Sequence, residues 1–104
     1  MIYTQIYEVN RRMHLRPYQE VISKVIKLEK RFEGLEVKLR NEKNNVTTRG
    51  DNLLDCMAEL DLEKGARVTV IIEGEFSENL LRRNADSIGS LFLKYDDTSY
   101  LSSQ

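Results

Sequence analysis

The chain has 104 residues, the size of one domain, and 40% of them are hydrophobic and 32% charged, which is typical of a folded globular protein and not of a disordered one. A formal net charge of −1 gives no general attraction to nucleic acid or to an anionic membrane. With one cysteine and one histidine, the chain excludes an internal disulfide and has too few soft ligands for an ordinary structural zinc site, so we expect no metal or other cofactor.

Residues 2–9 predict a β-strand, because β-branched and aromatic residues prevail and alternate positions share a face. One face would carry Ile2, Thr4 and Ile6, and the other Tyr3, Gln5, Tyr7 and Val9. Residues 10–13 predict a polar connection in which Arg11 and Arg12 are solvated.

The chain's only histidine and only proline, His14 and Pro17, open the clearest predicted helix, over residues 15–32. Proline is well tolerated in a first helical turn and poorly tolerated later. His14 is therefore expected at or just before the helix N-terminus, where free N–H groups and the positive dipole end receive an anion such as a phosphoryl group. The predicted apolar stripe is Val21, Ile22, Val25, Ile26, Leu28 and Phe32, and the predicted solvated side is Lys24, Lys27, Glu29, Lys30 and Arg31. Gly34 ends the helix.

Residues 35–48 predict a hairpin, since apolar and charged residues alternate before a polar turn and a short returning strand. Asp51 or Asn52 then caps a short helix over Leu53, Leu54, Met57 and Leu60. Leu54 and Met57 belong to the core, or form a docking patch if either is exposed. We expect Cys56 to be a buried small residue and not a nucleophile, because the chain has no second histidine to activate it.

Residues 66–73 predict the next strand, and Ser77 caps a final helix. The apolar stripe of this helix is Leu81, Ala85, Ile88, Leu91, Phe92 and Tyr95. Residues 96–104 are polar without periodicity and are expected to form a loosely ordered tail after a domain over residues 1–95. Because no signal peptide or bilayer-length apolar run is seen, we expect a cytoplasmic protein that does not insert into a membrane.

The predicted order is strand, helix, strand, strand, helix, strand, helix. Strands that alternate in polarity are typical of an antiparallel sheet with one bare face. The sequence therefore predicts an α+β domain with helices packed on one side of the sheet.

Two parts of this pattern resemble the histidine-containing phosphocarrier proteins of the bacterial sugar phosphotransferase system, called HPr. The first is His14-Leu15-Arg16-Pro17 after the first strand. The second is Met57, Leu60 and Leu62 followed by Glu63-Lys64-Gly65, the strand from Ala66 to Val70 and Glu73-Gly74-Glu75 before the last helix. The resemblance covers residues 1–95 and implies an open-faced β-sandwich of order βαββαβα, with three helices on one face of a four-stranded antiparallel sheet.

The resemblance also implies a function. His14 would accept a phosphoryl group on Nδ1 from enzyme I and pass it to an enzyme IIA, as a carrier with a transient phosphohistidine and not as a stand-alone catalyst. Backbone N–H groups at the helix start formed by Leu15, Arg16 and Pro17, with the Arg16 guanidinium, would hold the phosphate. Tyr18, Leu54, Asp55 and Met57 would take part in docking of the partner proteins.

The chain departs from the family pattern at four places. Arg12 stands where the family usually has glycine, Tyr18 where it usually has a small residue, and Leu53 (or Asn52, with a shift of one) where many members carry a regulatory serine. Asp55 replaces an apolar docking residue, which predicts a different choice of partner because a charge there costs desolvation.

Two functional hypotheses follow. The chain is a phosphocarrier that uses His14, or it is an HPr-like regulatory binding module that keeps the fold and engages a partner through the face around His14, Tyr18 and Leu54. Tyr18 would cover the site or pack against the helix. Labelling by enzyme I and phosphoenolpyruvate separates the two hypotheses.

Overall fold

Eight segments of regular backbone follow one another along residues 1–93, the part of the chain that this computed structural model describes. The predictions for Tyr95 and for the tail over residues 96–104 lie outside the described residues. The segments are β1 (Ile2–Glu8), α1 (Leu15–Arg31), β2 (Glu36–Asn41), β3 (Val46–Arg49), α2 (Leu53–Asp55), a π-helical turn (Cys56–Leu60), β4 (Arg67–Glu73) and α3 (Glu78–Phe92).

The four strands form one antiparallel sheet in the order β1-β4-β2-β3. Thr4 of β1 lies opposite Ile71 of β4, and Leu39 of β2 lies opposite Val70. β4 therefore runs between β1 and the hairpin of β2 and β3. The two outer strands of the sheet are β1 and β3.

The two faces of the sheet differ as their alternation predicts. Inward side chains of β2 and β4 are almost completely buried, whereas Ile2 and Ile6 on the outer face of β1 are 58% and 51% exposed. Both long helices cover the inner face, and each large apolar side chain buried there contributes about 1.5–3 kcal/mol. Their buried residues include Val21, Ile22, Val25 and Leu28 of α1 and Leu81, Ala85, Ile88 and Phe92 of α3. The predicted α+β class, element order and antiparallel sheet are confirmed.

The caps follow the predicted chemistry. The Asn52 side chain accepts a hydrogen bond from the Asp55 N–H at 3.0 Å, and Ser77 Oγ accepts one from the Leu80 N–H at 3.2 Å. After α1 ends, Gly34 adopts a φ of +87°, a left-handed conformation that favours glycine. No helix within residues 1–93 has the length and apolar character needed to cross a bilayer.

The prediction of a solvated side for α1 was wrong at Glu29 and at Lys24, because both side chains are half-buried. Ile26 and Phe32 of the predicted stripe are only partly buried. The short helix also differs from its prediction, because it changes after three residues into a π-helical turn. In that turn only Cys56 and Leu60 are buried. Leu54 of α2 and Met57 of the turn are exposed and do not belong to the core.

Candidate functional site

His14 occupies the N-cap of α1. Its backbone is extended, with φ −125° and ψ −168°, and its carbonyl accepts the Tyr18 N–H at 3.2 Å. The first N–H group of α1 that has an acceptor within the helix is that of Tyr18. The N–H groups of Leu15 and Arg16 come before it and have no such acceptor, and Pro17 has no N–H. Two N–H groups at the positive end of the helix dipole, those of Leu15 and Arg16, are therefore available to an anion beside His14.

The side chains at this helix start are accessible. His14 is exposed and makes no capping hydrogen bond, so its ring is not sunk in the interior. Arg16 is also exposed, and among residues 1–93 no hydrogen bond or ion pair holds its guanidinium in place. The arrangement presents an imidazole, two N–H donors and a long cationic side chain to solvent on consecutive residues. Such groups suit a transient bond to a phosphoryl group.

The connection before His14 is anchored at several points. The Asn10 N–H donates to the Phe92 carbonyl at 2.9 Å, and Arg11 forms an ion pair with Glu20 of α1 at 3.4 Å. The prediction that Arg11 is a solvated loop residue was wrong, because its side chain is only 19% exposed. Arg12 is exposed as predicted. The ion pair links the connection to the helix that it introduces.

Tyr18 lies inside the protein. Its side chain is 4% exposed, and its hydroxyl accepts the Leu62 N–H at 3.0 Å. Burial raises the pKa of Tyr18, and the hydrogen bond from Leu62 opposes the rise. The proposed docking role of Tyr18 needs a surface side chain, so we correct it to a structural role that joins the start of α1 to the segment before β4.

Exposed apolar side chains lie on α1 and on the neighbouring short helix. Leu15 is 50%, Leu54 78% and Met57 37% exposed, and Asp55 between the last two is exposed as well. Leu53 lines a shallow groove of about 380 Å³ together with residues of α1 that include Gln19 and Ile22, which places α2 alongside α1. We name Leu15, Leu54, Asp55 and Met57 the exposed patch. Of the two predicted alternatives for Leu54, core or exposed patch, the structure selects the patch.

Cys56 is a buried residue, as predicted. Its Sγ lies 3.3 Å from Thr48 Oγ1 and 3.4 Å from the Arg49 carbonyl. Burial raises the pKa of the Cys56 thiol, although the Thr48 hydroxyl opposes this. A buried thiol with a raised pKa is a poor nucleophile. Within residues 1–93, no group of His, Cys, Asp and Glu side chains is arranged to hold a metal ion.

A carboxyl pair that the sequence analysis missed joins α1 to the loop before α2. Glu29 Oε2 accepts the Val37 N–H at 3.1 Å, and Asp51 is held by the Arg49 guanidinium through contacts of 3.0 and 3.2 Å. Burial and a hydrogen bond with Asp51 raise the pKa of Glu29 to about 7. Burial would raise the pKa of Asp51, but hydrogen bonds from Arg49 and Glu29 lower it overall. Glu29 follows Val25 by four residues and precedes Phe32 by three, and this spacing was the available sign that it lies beside the apolar stripe.

The comparison with solved structures identifies the architecture. The chain is similar to a crystal structure of the phosphocarrier protein HPr from Bacillus anthracis str. Ames, with a TM-score of 0.67 over 88% of this chain and 96% of that chain. The fold is HPr-like. Sequence identity with that protein is 15%, so the similarity establishes the HPr-like fold alone. No protein-family profile and no curated protein sequence matches the chain.

Proposed function

We propose that this protein is a phosphocarrier that accepts a phosphoryl group on His14 from an enzyme I and passes it to an enzyme IIA. The observation that carries the proposal is the exposed His14 ring at the N-cap of α1, beside the available N–H groups of Leu15 and Arg16, within an HPr-like fold.

The chemistry requires few groups from the protein. The Nδ1 lone pair of neutral His14 attacks phosphorus, and the N–P bond forms while the bond between phosphorus and the donor breaks, its electron pair leaving with the donor. Onward transfer reverses these events on an acceptor group of the next protein. The Leu15 and Arg16 N–H groups and the Arg16 guanidinium stabilise the charged oxygens, and positioning together with such charge stabilisation supplies nearly all of the catalysis in phosphoryl transfer.

The test is incubation of the full chain with enzyme I and labelled phosphoenolpyruvate. We expect one acid-labile, base-stable label per chain, and none on the H14A variant. If wild type stays unlabelled under conditions that label a standard HPr, the phosphocarrier proposal fails and the regulatory binding module is the function to pursue.

Arg16 and Arg12 provide a matched pair of exposed arginines near His14. Arg16→Ala removes a charge-assisted hydrogen bond worth about 1.5–3 kcal/mol and should slow labelling about 10- to 100-fold. Arg12→Ala removes the same charge from the connection and should change the rate by less than about threefold. Equal effects of the two variants would show that Arg16 contributes only to the local potential.

The exposed patch of Leu15, Leu54, Asp55 and Met57 is proposed to receive the partner proteins. Leu54 is the most exposed of its apolar residues, and burying a leucine side chain that is otherwise exposed stabilises a complex by about 1.5–3 kcal/mol. Leu54→Ala should therefore raise the KM for enzyme I about tenfold and leave the final label at one per chain. Ile2→Ala, which changes an exposed isoleucine on the opposite face of the sheet, is the control and should leave the KM unchanged.

A further inference from the structure

β1 is an outer strand whose free edge is built to pair with another strand. The Gly74 N–H donates to the Met1 carbonyl at 3.1 Å, and the Val9 N–H donates to the Ala66 carbonyl at 2.8 Å. In an antiparallel pair the direction of the main-chain groups alternates along the strand, so the odd-numbered residues of β1 bond to β4. The N–H and C=O groups of Ile2, Thr4, Ile6 and Glu8 therefore point away from the sheet.

The side chains on this edge lack the features that usually prevent strand pairing. Native outer strands carry lysine, proline or a bulge, or are covered by another segment. Positions 2–7 of β1 have neither charge nor proline, the ladder with β4 runs without a bulge, and within residues 1–93 no strand pairs with this edge. Ile2 and Ile6 are more than half exposed, and Thr4 between them lies beside Ile71 of β4. The free edge therefore combines an exposed apolar stripe with a row of main-chain donors and acceptors that no other strand of the described residues uses.

The pattern is two-fold symmetric about Thr4. An antiparallel partner with the same sequence, centred on Thr4, places Ile2 of one copy opposite Ile6 of the other at both ends. Each of the three pairs then exchanges two main-chain hydrogen bonds. A shift of the centre to Gln5 would set Ile2 opposite Glu8, and a shift to Ile6 would set Thr4 opposite Glu8. Of these three registers, only the one centred on Thr4 leaves Glu8, the charged residue of this row, without a residue opposite it.

From this register we propose that two copies of the chain associate through β1, which joins their sheets into one antiparallel eight-stranded sheet. The occupant of the edge is a second copy because β1 itself has the length, polarity and symmetry that the edge requires. The His14 site lies at the start of α1, on the helical side of the sheet, and is not part of this contact. The proposal is independent of phosphoryl transfer.

Sedimentation velocity of the full chain from about 10 µM to about 1 mM tests the proposal, because an interface of one strand pair is small and its association weak. We expect a reversible monomer–dimer equilibrium. Ile6→Lys and Ile2→Lys each place two lysines in the dimer contact and should raise the dissociation constant about tenfold or more. Thr47→Lys changes an exposed residue of β3, at the opposite edge of the same sheet face, and should leave the constant unchanged.

Amide hydrogen exchange locates the contact. The Thr4 and Ile6 amides should exchange about tenfold more slowly at high concentration than at low concentration, whereas the Gln5 and Tyr7 amides, which bond to β4, should not change. A protein that stays monomeric at about 1 mM overturns the proposal, as does a dimer that both lysine variants leave intact. Concentration-independent exchange at Thr4 and Ile6 overturns it as well.

Discussion

The half-buried carboxyl of Glu29 predicts a specific dependence of stability on pH. In the folded protein the pKa of Glu29 is raised to about 7 from an ordinary value of 4.5, because burial and the hydrogen bond with Asp51 favour the protonated form. Between these two pH values the folded state binds more protons than the unfolded state. The contribution of Glu29 to stability is therefore complete below pH 4.5 and is lost as the pH rises through about 7.

Glu29→Gln replaces the protonated carboxyl by a neutral amide of the same shape. The amide oxygen can still accept the Val37 N–H, and the amide NH₂ can donate to Asp51. At 1.36 kcal/mol per pKa unit, the raised pKa corresponds to about 3 kcal/mol for a fully buried group. Glu29 is only half-buried, and solvent screening reduces the expected gain of the variant above pH 8 to about 1 kcal/mol.

Urea unfolding of wild type and variant at several pH values between about 5 and about 8.5 measures this difference. The two proteins should have similar free energies of unfolding at the acidic end, and the variant should be more stable at the alkaline end, which corresponds to about 4–8 °C in Tm. Glu33→Gln, at an exposed glutamate just beyond the end of α1, is the control and should show no such divergence. Parallel profiles for wild type and the Glu29→Gln variant would refute the reasoning.

Three further predictions concern packing. Gly89 of α3 lies against the Tyr7 ring, which an added Cβ would overlap. Gly89→Ala should therefore lower the free energy of unfolding, measured by chemical denaturation, by about 2–4 kcal/mol, and a second substitution, Tyr7→Ala, should restore part of that loss. Tyr18→Phe leaves the buried Leu62 N–H without its acceptor and should lower the free energy of unfolding by about 1–2 kcal/mol; an unchanged urea midpoint would contradict the structural role of Tyr18. Cys56 should react with a thiol reagent at least about a hundredfold more slowly in the native protein than in urea, because it is buried and its pKa is raised.

Local features of the fold were predictable because periodicity and capping depend on neighbouring residues. The alternation in residues 66–73 specifies which side chains of β4 face the core, and Ser77 and Asn52 signal where helices begin. The strand order was not available from the pattern alone. β1 and β4 pair across about 60 to 70 positions of the chain, as Thr4 opposite Ile71 illustrates, and alternation does not state which strands are neighbours.

In the candidate site, too, the features set by neighbouring residues were predictable and those set by distant residues were not. The position of His14 at the N-cap follows from Pro17 and the apolar spacing after it, which are local signals. The hydroxyl of buried Tyr18 bonds to Leu62, 44 positions away, and the raised pKa of Glu29 depends on burial and on Asp51 in a distant loop. Met57 lies in the π-helical turn after α2, which changes the phase of the helix and buries Cys56 and Leu60 instead, and such a turn has no clear signature in the sequence.

The central claim is that His14 takes a phosphoryl group at the open N-terminus of α1. Backbone amide NMR of the ¹⁵N-labelled full chain, recorded before and after addition of enzyme I and phosphoenolpyruvate, tests it most directly. We predict that His14 becomes phosphorylated and that the Leu15 and Arg16 amide resonances move further than any others as their N–H groups bond to the phosphoryl oxygens. An unchanged spectrum, or phosphorylation that leaves those two amides in place, would contradict the account.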